Sequence, residues 1–426
     1  MSVLPGNVIE AIKEHVSAKG MKDPKFDISS GSRNGDSYSG DVYRIVVSPN
    51  EKDVEDCRNN NGDGAITELP KVISVIAKVA PTSQLRRSLY NSSAHFQREK
   101  YIFDIVLPTF EKFQETRGLK PSRMFNHYPT VIASDCSEGR EFVLLGDLSA
   151  QGFRNFQRTE PLDYESVSQI LVFLARFHAV SFAMKDQAPE IFEKIIDQLR
   201  ETIFVAPLHS SFEGFLKRQV DYAMKTLEHC PAKGDAEVSK RLFQFRDEYG
   251  PSMVECVDNR ADVVICHGDC WISNILFRQR NIQNPKELRF LDWQVSRCGT
   301  PVIDLSYFLF CCTDTELRTR LPELLRKYHT ALVERIDELG CDGQKLFPFE
   351  TLQQHLKKFA RFGFGMALMT LHTTCCVEKD LPDISAALES SELVDLDKYA
   401  KDLLYNPAYI KRMTGVCRDM VKLGYL

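Results

Sequence analysis

The stretch "VICHGDCWISNILF", residues 264–277, sets a histidine, an aspartate, a tryptophan and an asparagine between two short apolar runs. Val263 to Ile265 and Ile275 to Phe277 are β-branched or aromatic and too short for helices, so they predict strands flanking a polar loop. Within the loop, Asp269 and Asn274 stand in the spacing D-x-x-x-x-N. Phosphoryl transfer needs an acceptor for the attacking hydroxyl's proton and oxygen ligands for the metal that accompanies nucleotide phosphates, and this spacing supplies both. A further carboxylate, Asp292, closes the apolar run "LRFLDWQ", where the main magnesium ligand is expected. Singly, each carboxylate reads first as a turn cap, and Asn274 can be read as a backbone-bonding residue. The ordered set points to a hard cation and phosphoryl chemistry.

Upstream, Val42–Ser48, Val72–Val79, Tyr128–Ala133 and Glu141–Leu145 read as strands of a small antiparallel sheet, with Gly, Asn and Pro between them. "AHFQREKYIFDIVL" (Ala94–Leu107) carries Phe96, Ile102, Phe103 and Val106 at near-helical spacing, which predicts a helix packed on that sheet. "SGSRNGDSYSGDVYRIVV" places Gly31, Gly35 and Gly40 in a polar turn whose amides could cover phosphates; the spacing departs from G-x-G-x-x-G, and a plain hairpin is an equal reading. Lys78 is the lone charge in "VISVIAKVA" and Glu99 lies on the following helix, the pattern of an ion pair that positions nucleotide phosphates. An exposed lysine and a solvated helix face are the plainer alternative. From Tyr164 onward, helical periodicity dominates, and the chain changes class near residue 148. Two domains are expected, residues 1–147 and 148–426.

The 426 residues are 43% hydrophobic and 27% charged with a net charge of -5, an ordinary globular balance that argues against nucleic acid or anionic lipid as main partner. No segment is expected to span a bilayer, and a cytoplasmic location is expected. Thirteen cysteines, an odd number without regular spacing, make a poor disulfide framework and read as reduced. "NNNGDGAITE" (Asn59–Glu68) resembles a calcium loop, but aligning Gly64 with the turn glycine puts Pro70 where the bidentate glutamate belongs. The close-set Cys266, His267, Asp269 and Cys270 mix hard and soft ligands and do not suit one ion.

Taken in order, "GDSYSGDVYRIVV", "VIAKV", "FQREKYIFDIVLP", "FVLLGDLSAQGF", "LARFHA", "HGDCWISNILF" and "FLDWQVSRCGTPVIDLSYFLF" resemble the ecdysteroid kinase-like family, relatives of choline and aminoglycoside kinases. The resemblance implies an α+β, two-lobed protein-kinase-like fold: an N-terminal nucleotide-binding lobe with an antiparallel sheet and a larger, mainly helical lobe for catalysis and the acceptor. It implies Asp269 as the catalytic aspartate with His267 orienting the loop, Asn274 and Asp292 as magnesium ligands, and Lys78, held by Glu99, on the phosphates of ATP. Adenine would be recognised through the backbone of Gly146, Asp147 and Leu148; Gly146 stands where relatives often carry glutamate. His178 and Asp304 match family positions and are read as structural, a satisfied core histidine and a carboxylate bracing the loop. The long insertion from Pro49 to Pro70 departs from the pattern.

The expected reaction is ATP- and Mg2+-dependent phosphorylation of a hydroxyl on a small, apolar, hydroxylated molecule, an ecdysteroid or another steroid or xenobiotic. Protein substrates are disfavoured because neither D-F-G nor A-P-E follows the loop. "FARFGFGMALM" (Phe359–Met369) reads equally as an acceptor pocket or as core. A choline- or aminoglycoside-like acceptor, or a catalytically silent protein binding a hydrophobic ligand, are the competing readings.

Overall fold

The computed structural model describes residues 4–32, 39–50, 71–259, 262–279, 286–381 and 402–426. Gly35, the calcium-loop-like stretch and nearly all of the 49–70 insertion lie outside the described residues. Two compact units emerge, and they interleave rather than meet at the single boundary expected after residue 147. One comprises Met1–Lys100 and Tyr128–Arg154; the other takes Tyr101–His127, Asn155–Pro382 and the C-terminal part of the chain.

In the first unit, helix α1 (Gly6–Ser17) precedes a five-stranded antiparallel sheet of β1 (Lys25–Ser30), β2 (Asp41–Ser48), β3 (Ile73–Val79), β4 (Val131–Asp135) and β5 (Phe142–Gly146), in the order β1-β2-β3-β5-β4. The expected strands are present with ends displaced by up to three residues, and β1 is added at the edge. Period-two alternation in β2 and β3 buries Ile45, Val47, Val75, Ala77 and Val79 on one face. That face packs against Val8, Ile12 and Val16 of α1, which recur at helical spacing. The same alternation turns Lys78 to the opposite face, away from the aliphatic core.

The predicted helix over Ala94–Leu107 is divided. Helix α2 (Ser92–Tyr101) belongs to the first unit up to Lys100, a π-helical turn follows over Ile102–Val106, and a further helix runs over Leu107–Thr116 in the second unit.

The second unit is mainly helical. Helix α3 (Tyr164–Gln187) starts at Asp163, whose carboxylate accepts from Ser166 N at 2.7 Å, and lies along α5 (Leu321–Glu338). By length and composition α3 could cross a membrane, with a mean hydropathy of 1.5 over its most apolar window, contrary to the expectation from sequence. Here 78% of that window is buried inside the protein, so its apolar surface serves the core. Helix α4 (Val302–Cys312) is buried at every position and packs against α6 (Arg361–Cys375). The approach is so close that a Cβ on Gly363 would lie 2.3 Å from the Ser306 backbone. Phe359, Phe362 and Phe364 are buried, so the aromatic stretch from Phe359 packs as core. Short strands β6 (Val264–Cys266), β7 (Ile275–Arg278), β8 (Glu287–Phe290) and β9 (Arg297–Gly299) interrupt the helices, β6 pairing with β9 and β7 with β8. The cysteines among the described residues are free thiols.

Candidate active site

Strand β6 delivers the chain to His267 and Gly268, and β7 carries it away after Asn274. The turn between them is tight. Gly268 has φ +85°, and a Cβ there would meet Val295 O at 2.1 Å, so only glycine fits. Asp304, in the first turn of α4, holds this corner from below. Its Oδ2 accepts from His267 N at 2.7 Å and from His178 Nε2 at 3.0 Å, and its Oδ1 accepts from Gly268 N at 2.8 Å. Burial alone would raise this carboxyl, but the bonds and the nearby imidazoles hold it below its ordinary range. His178 Nδ1 meets Tyr328 Oη at 2.8 Å, so an imidazole protonated on Nε2 satisfies both neighbours. The bracing role expected for His178 and Asp304 matches this geometry. Cys266 lies in the same buried group, but its Sγ, like the other two side chains, is already engaged, with Gly299 O and Thr300 O.

Asp269 is gripped at both oxygens. Tyr307, one helical turn beyond Asp304 on α4, donates to Oδ1 at 2.9 Å, and Asn274 Nδ2 donates to Oδ2 at 2.7 Å. Asn274 Nδ2 also bonds to Asp269 O at 3.0 Å. Both partners of that nitrogen are acceptors, which fixes the amide orientation and leaves Oδ1 as the acceptor atom of Asn274. Burial and then the charge of Asp292 push the Asp269 carboxyl up to about 6, against the bonds from Tyr307 and Asn274. Tyr307 was not anticipated from sequence. Its signal was a hydroxyl three residues after Asp304, in a helix whose other polar residue beside that aspartate is Ser306, on the face that meets the loop.

Asp292 adopts a left-handed φ of +64°, unusual for a residue with a side chain. Its neighbours impose it. Leu291 N donates to Asn274 O at 2.8 Å, Leu291 O accepts from His267 Nε2 at 2.9 Å, and buried Trp293 donates to Phe290 O at 3.2 Å. A non-glycine residue held here typically costs about 1–3 kcal/mol, and such strain clusters at functional sites. His267 is thus a strut between the loop and the Asp292 turn, in keeping with an orienting role. Asn274 Oδ1 and the Asp292 carboxylate are hard oxygen donors of the kind magnesium takes.

In the first unit, Lys78 Nζ lies 2.8 and 3.0 Å from the two oxygens of Glu99, which is only 2% exposed. The other nucleotide residues expected from sequence fare differently. Gly31 N bonds to Val42 O at 2.8 Å, which commits that amide to strand pairing. Gly146 N donates to Thr130 O at 2.9 Å and Asp147 N to Ser74 O at 3.3 Å, so neither amide is spare for adenine. The Asp147 carboxylate accepts from Ser74 Oγ at 2.7 Å, Ser149 N at 2.8 Å and Arg44 Nε at 3.0 Å and knots the turn after β5. Of the three expected positions, the Leu148 amide donates to no described residue.

A family model described as the ecdysteroid kinase-like family matches residues 34–341. The chain belongs to the ecdysteroid kinase-like family. It is accordingly a small-molecule kinase, and its architecture is α+β. Among curated proteins, none matches the sequence. Solved structures similar to this family member include a Plasmodium vivax ethanolamine kinase, at 14% identity over 85% of this chain and 84% of that one, with a TM-score of 0.40. A mutant aminoglycoside 2'-phosphotransferase-IIIa in complex with GDP is 14% identical over 94% and 95% of the two chains, with a TM-score of 0.42. A microcompartment-associated aminopropanol kinase is 12% identical over 99% of each, with a TM-score of 0.38.

Proposed function

We propose that this ecdysteroid kinase-like protein transfers the γ-phosphoryl group of ATP to a hydroxyl of a small apolar molecule, a hydroxylated steroid or xenobiotic. The observation that carries the reading is the braced set Asp269, Asn274 and Asp292, gathered on one loop and one turn by Asp304, Tyr307 and His267. Asp269 receives the hydroxyl proton as the acceptor oxygen bonds to phosphorus and the bond from phosphorus to the β-phosphate oxygen breaks, releasing ADP. A carboxyl raised toward neutrality remains ionised at pH 7 yet is a better base than an ordinary aspartate. Asn274 Oδ1 and Asp292 would hold Mg2+, which supplies neutralisation of phosphate charge. Lys78, fixed by Glu99, would contact the nucleotide phosphates.

An apolar acceptor is supported by the surroundings of the loop. Arg297, whose charge acts on Asp269, sits with its guanidinium carbon 5.9 and 5.6 Å from the rings of Phe204 and Phe362 and bonds to Glu201 at 2.8 Å. Phe212 and Phe215 stack next to Phe204 and are only partly buried, so aromatic surface remains accessible. An ATP-consumption screen over hydroxylated steroids, plant glycosides and aminoalcohols, with mass spectrometry for added phosphate, tests the reading. Turnover confined to aminoalcohols would overturn the choice of acceptor, and absence of turnover with every class would overturn the reaction.

A further inference from the structure

Residues that the catalytic loop does not use line a cavity of about 430 Å³ in the second unit. Helix α5 contributes Arg326, Lys327, Glu334, Arg335 and Glu338, whose spacing places them along one side of the helix. Helix α3 adds Arg176, and Arg123 comes from the segment ending at His127. Five cationic side chains face two carboxylates, a formal excess of three positive charges.

The carboxylates do not satisfy this excess. Glu338 is shared, ion-paired with Arg123 and 3.2 Å from Arg335 Nε. Arg335 is only 3% exposed and turns another N–H to Arg123 O at 2.5 Å. Burial, with the like charges of Arg176 and Arg123, pushes its guanidinium down to about 10 despite the pull of Glu338. Arg176 donates no hydrogen bond to any described residue; its guanidinium carbon lies 5.5 Å from the Phe173 ring. The positive field reaches further. His127 is pushed down to about 3 by burial and then by Arg289, Arg176 and Arg335. Arg326 and Lys327 lie 4.9 Å from the rings of Phe349 and Tyr164 and add positive potential at the edge.

Guanidinium groups stay protonated in proteins, so a partly buried cluster with more cations than its carboxylates can neutralise is relieved by binding an anion. Their planar forks suit tetrahedral oxyanions. We propose that this cavity is a binding site for a phosphate-type dianion, with Arg176 as its principal donor and Arg123 and Arg335 as flanking charges. The cavity is larger than a lone phosphate, so the dianion arrives either free or on a small organic body. The site is independent of the acceptor chosen above.

Calorimetric titration of inorganic phosphate and, separately, glycerol 1-phosphate into the full chain tests this. The wild-type protein should bind one equivalent at this site, and Arg176→Gln should weaken it at least tenfold without changing affinity for a non-hydrolysable ATP analogue or the unfolding midpoint. Arg123→Gln, at a side chain 60% exposed, is a second variant that leaves the core intact and should weaken binding in the same direction. Tighter binding of glycerol 1-phosphate identifies a phosphorylated small molecule as the source, and equal binding identifies free phosphate. Absence of binding to the wild type at millimolar anion, or binding unchanged in both variants, would overturn the site.

Discussion

Asp304→Asn removes a charge while keeping the shape, and it leaves the corner beneath the catalytic loop short of an acceptor. The carboxylate receives three N–H groups, His267 N and His178 Nε2 at one oxygen and Gly268 N at the other. An asparagine has one acceptor oxygen. Placed toward Gly268 it turns its NH2 against His267 N, and flipped it turns the NH2 against Gly268 N. A tautomer switch can rescue His178, but in either orientation one backbone N–H is left buried and unpaired. An orphaned donor costs about 1–3 kcal/mol, and the lost charge assistance adds about another 1 kcal/mol, so about 2–4 kcal/mol of stability should disappear. Both tryptophans of the chain, Trp271 and Trp293, flank this corner and are buried, so intrinsic fluorescence during urea unfolding reports on it directly. A midpoint and slope indistinguishable from wild type, a change below about 0.5 kcal/mol, would show that Asp304 does not brace the loop.

Tyr307→Phe removes the bond to Asp269 Oδ1, and turnover should fall by roughly 5- to 30-fold, as expected for about 1–2 kcal/mol lost at a charge-assisted bond. Because that bond holds the Asp269 carboxyl down, the acid limb of the pH–rate profile should move to higher pH, a shift that a purely structural role would not produce. Lys78→Met should lower turnover and raise the ATP requirement, and because it takes the cation from the buried Glu99 carboxylate it should also lower the melting temperature; normal kinetics in the folded variant would contradict the phosphate-contacting role. Glu141 is opposed by its burial but held down to about 2, from an ordinary 4.5, by bonds from Arg87 and Ser93. Its folded value is depressed, so its contribution is complete above pH 4.5 and fades as the pH falls toward 2. Glu141→Gln should therefore destabilise by about 3 kcal/mol at pH 7 and by progressively less below pH 4.5, measured by denaturant unfolding across that range; a pH-independent difference would contradict the assignment.

What the sequence disclosed about the site was local. Asp269 and Asn274 were legible because their spacing lies within one loop, and Lys78 because a lone charge in an apolar strand needs a partner. Tyr307 was hidden because its role exists only once α4 lies under the loop, a contact spanning 38 residues. Asp147 shows the converse: a motif position suggested that its backbone meets adenine, while its N–H donates to the carbonyl of Ser74, 73 residues away. The aromatic stretch from Phe359 could not be assigned to pocket or core by periodicity, since both place aromatics at helical spacing; Gly363, which lets α6 approach Ser306, decides for core. The interleaving of the units was equally opaque, because Tyr101–His127 reads as a continuation of the preceding helix and joins the other unit through long-range packing.

The rate of phosphorylated product formed by Asp269→Asn, with an accepted substrate and saturating ATP and magnesium, tests the central claim most directly. The amide preserves size and leaves Tyr307 a partner but cannot take the hydroxyl proton. Turnover should fall on the order of 100- to 10,000-fold while calorimetric affinity for the nucleotide stays near that of the wild type. A fall of less than about tenfold would mean that Asp269 only shapes its loop and that the proton goes elsewhere.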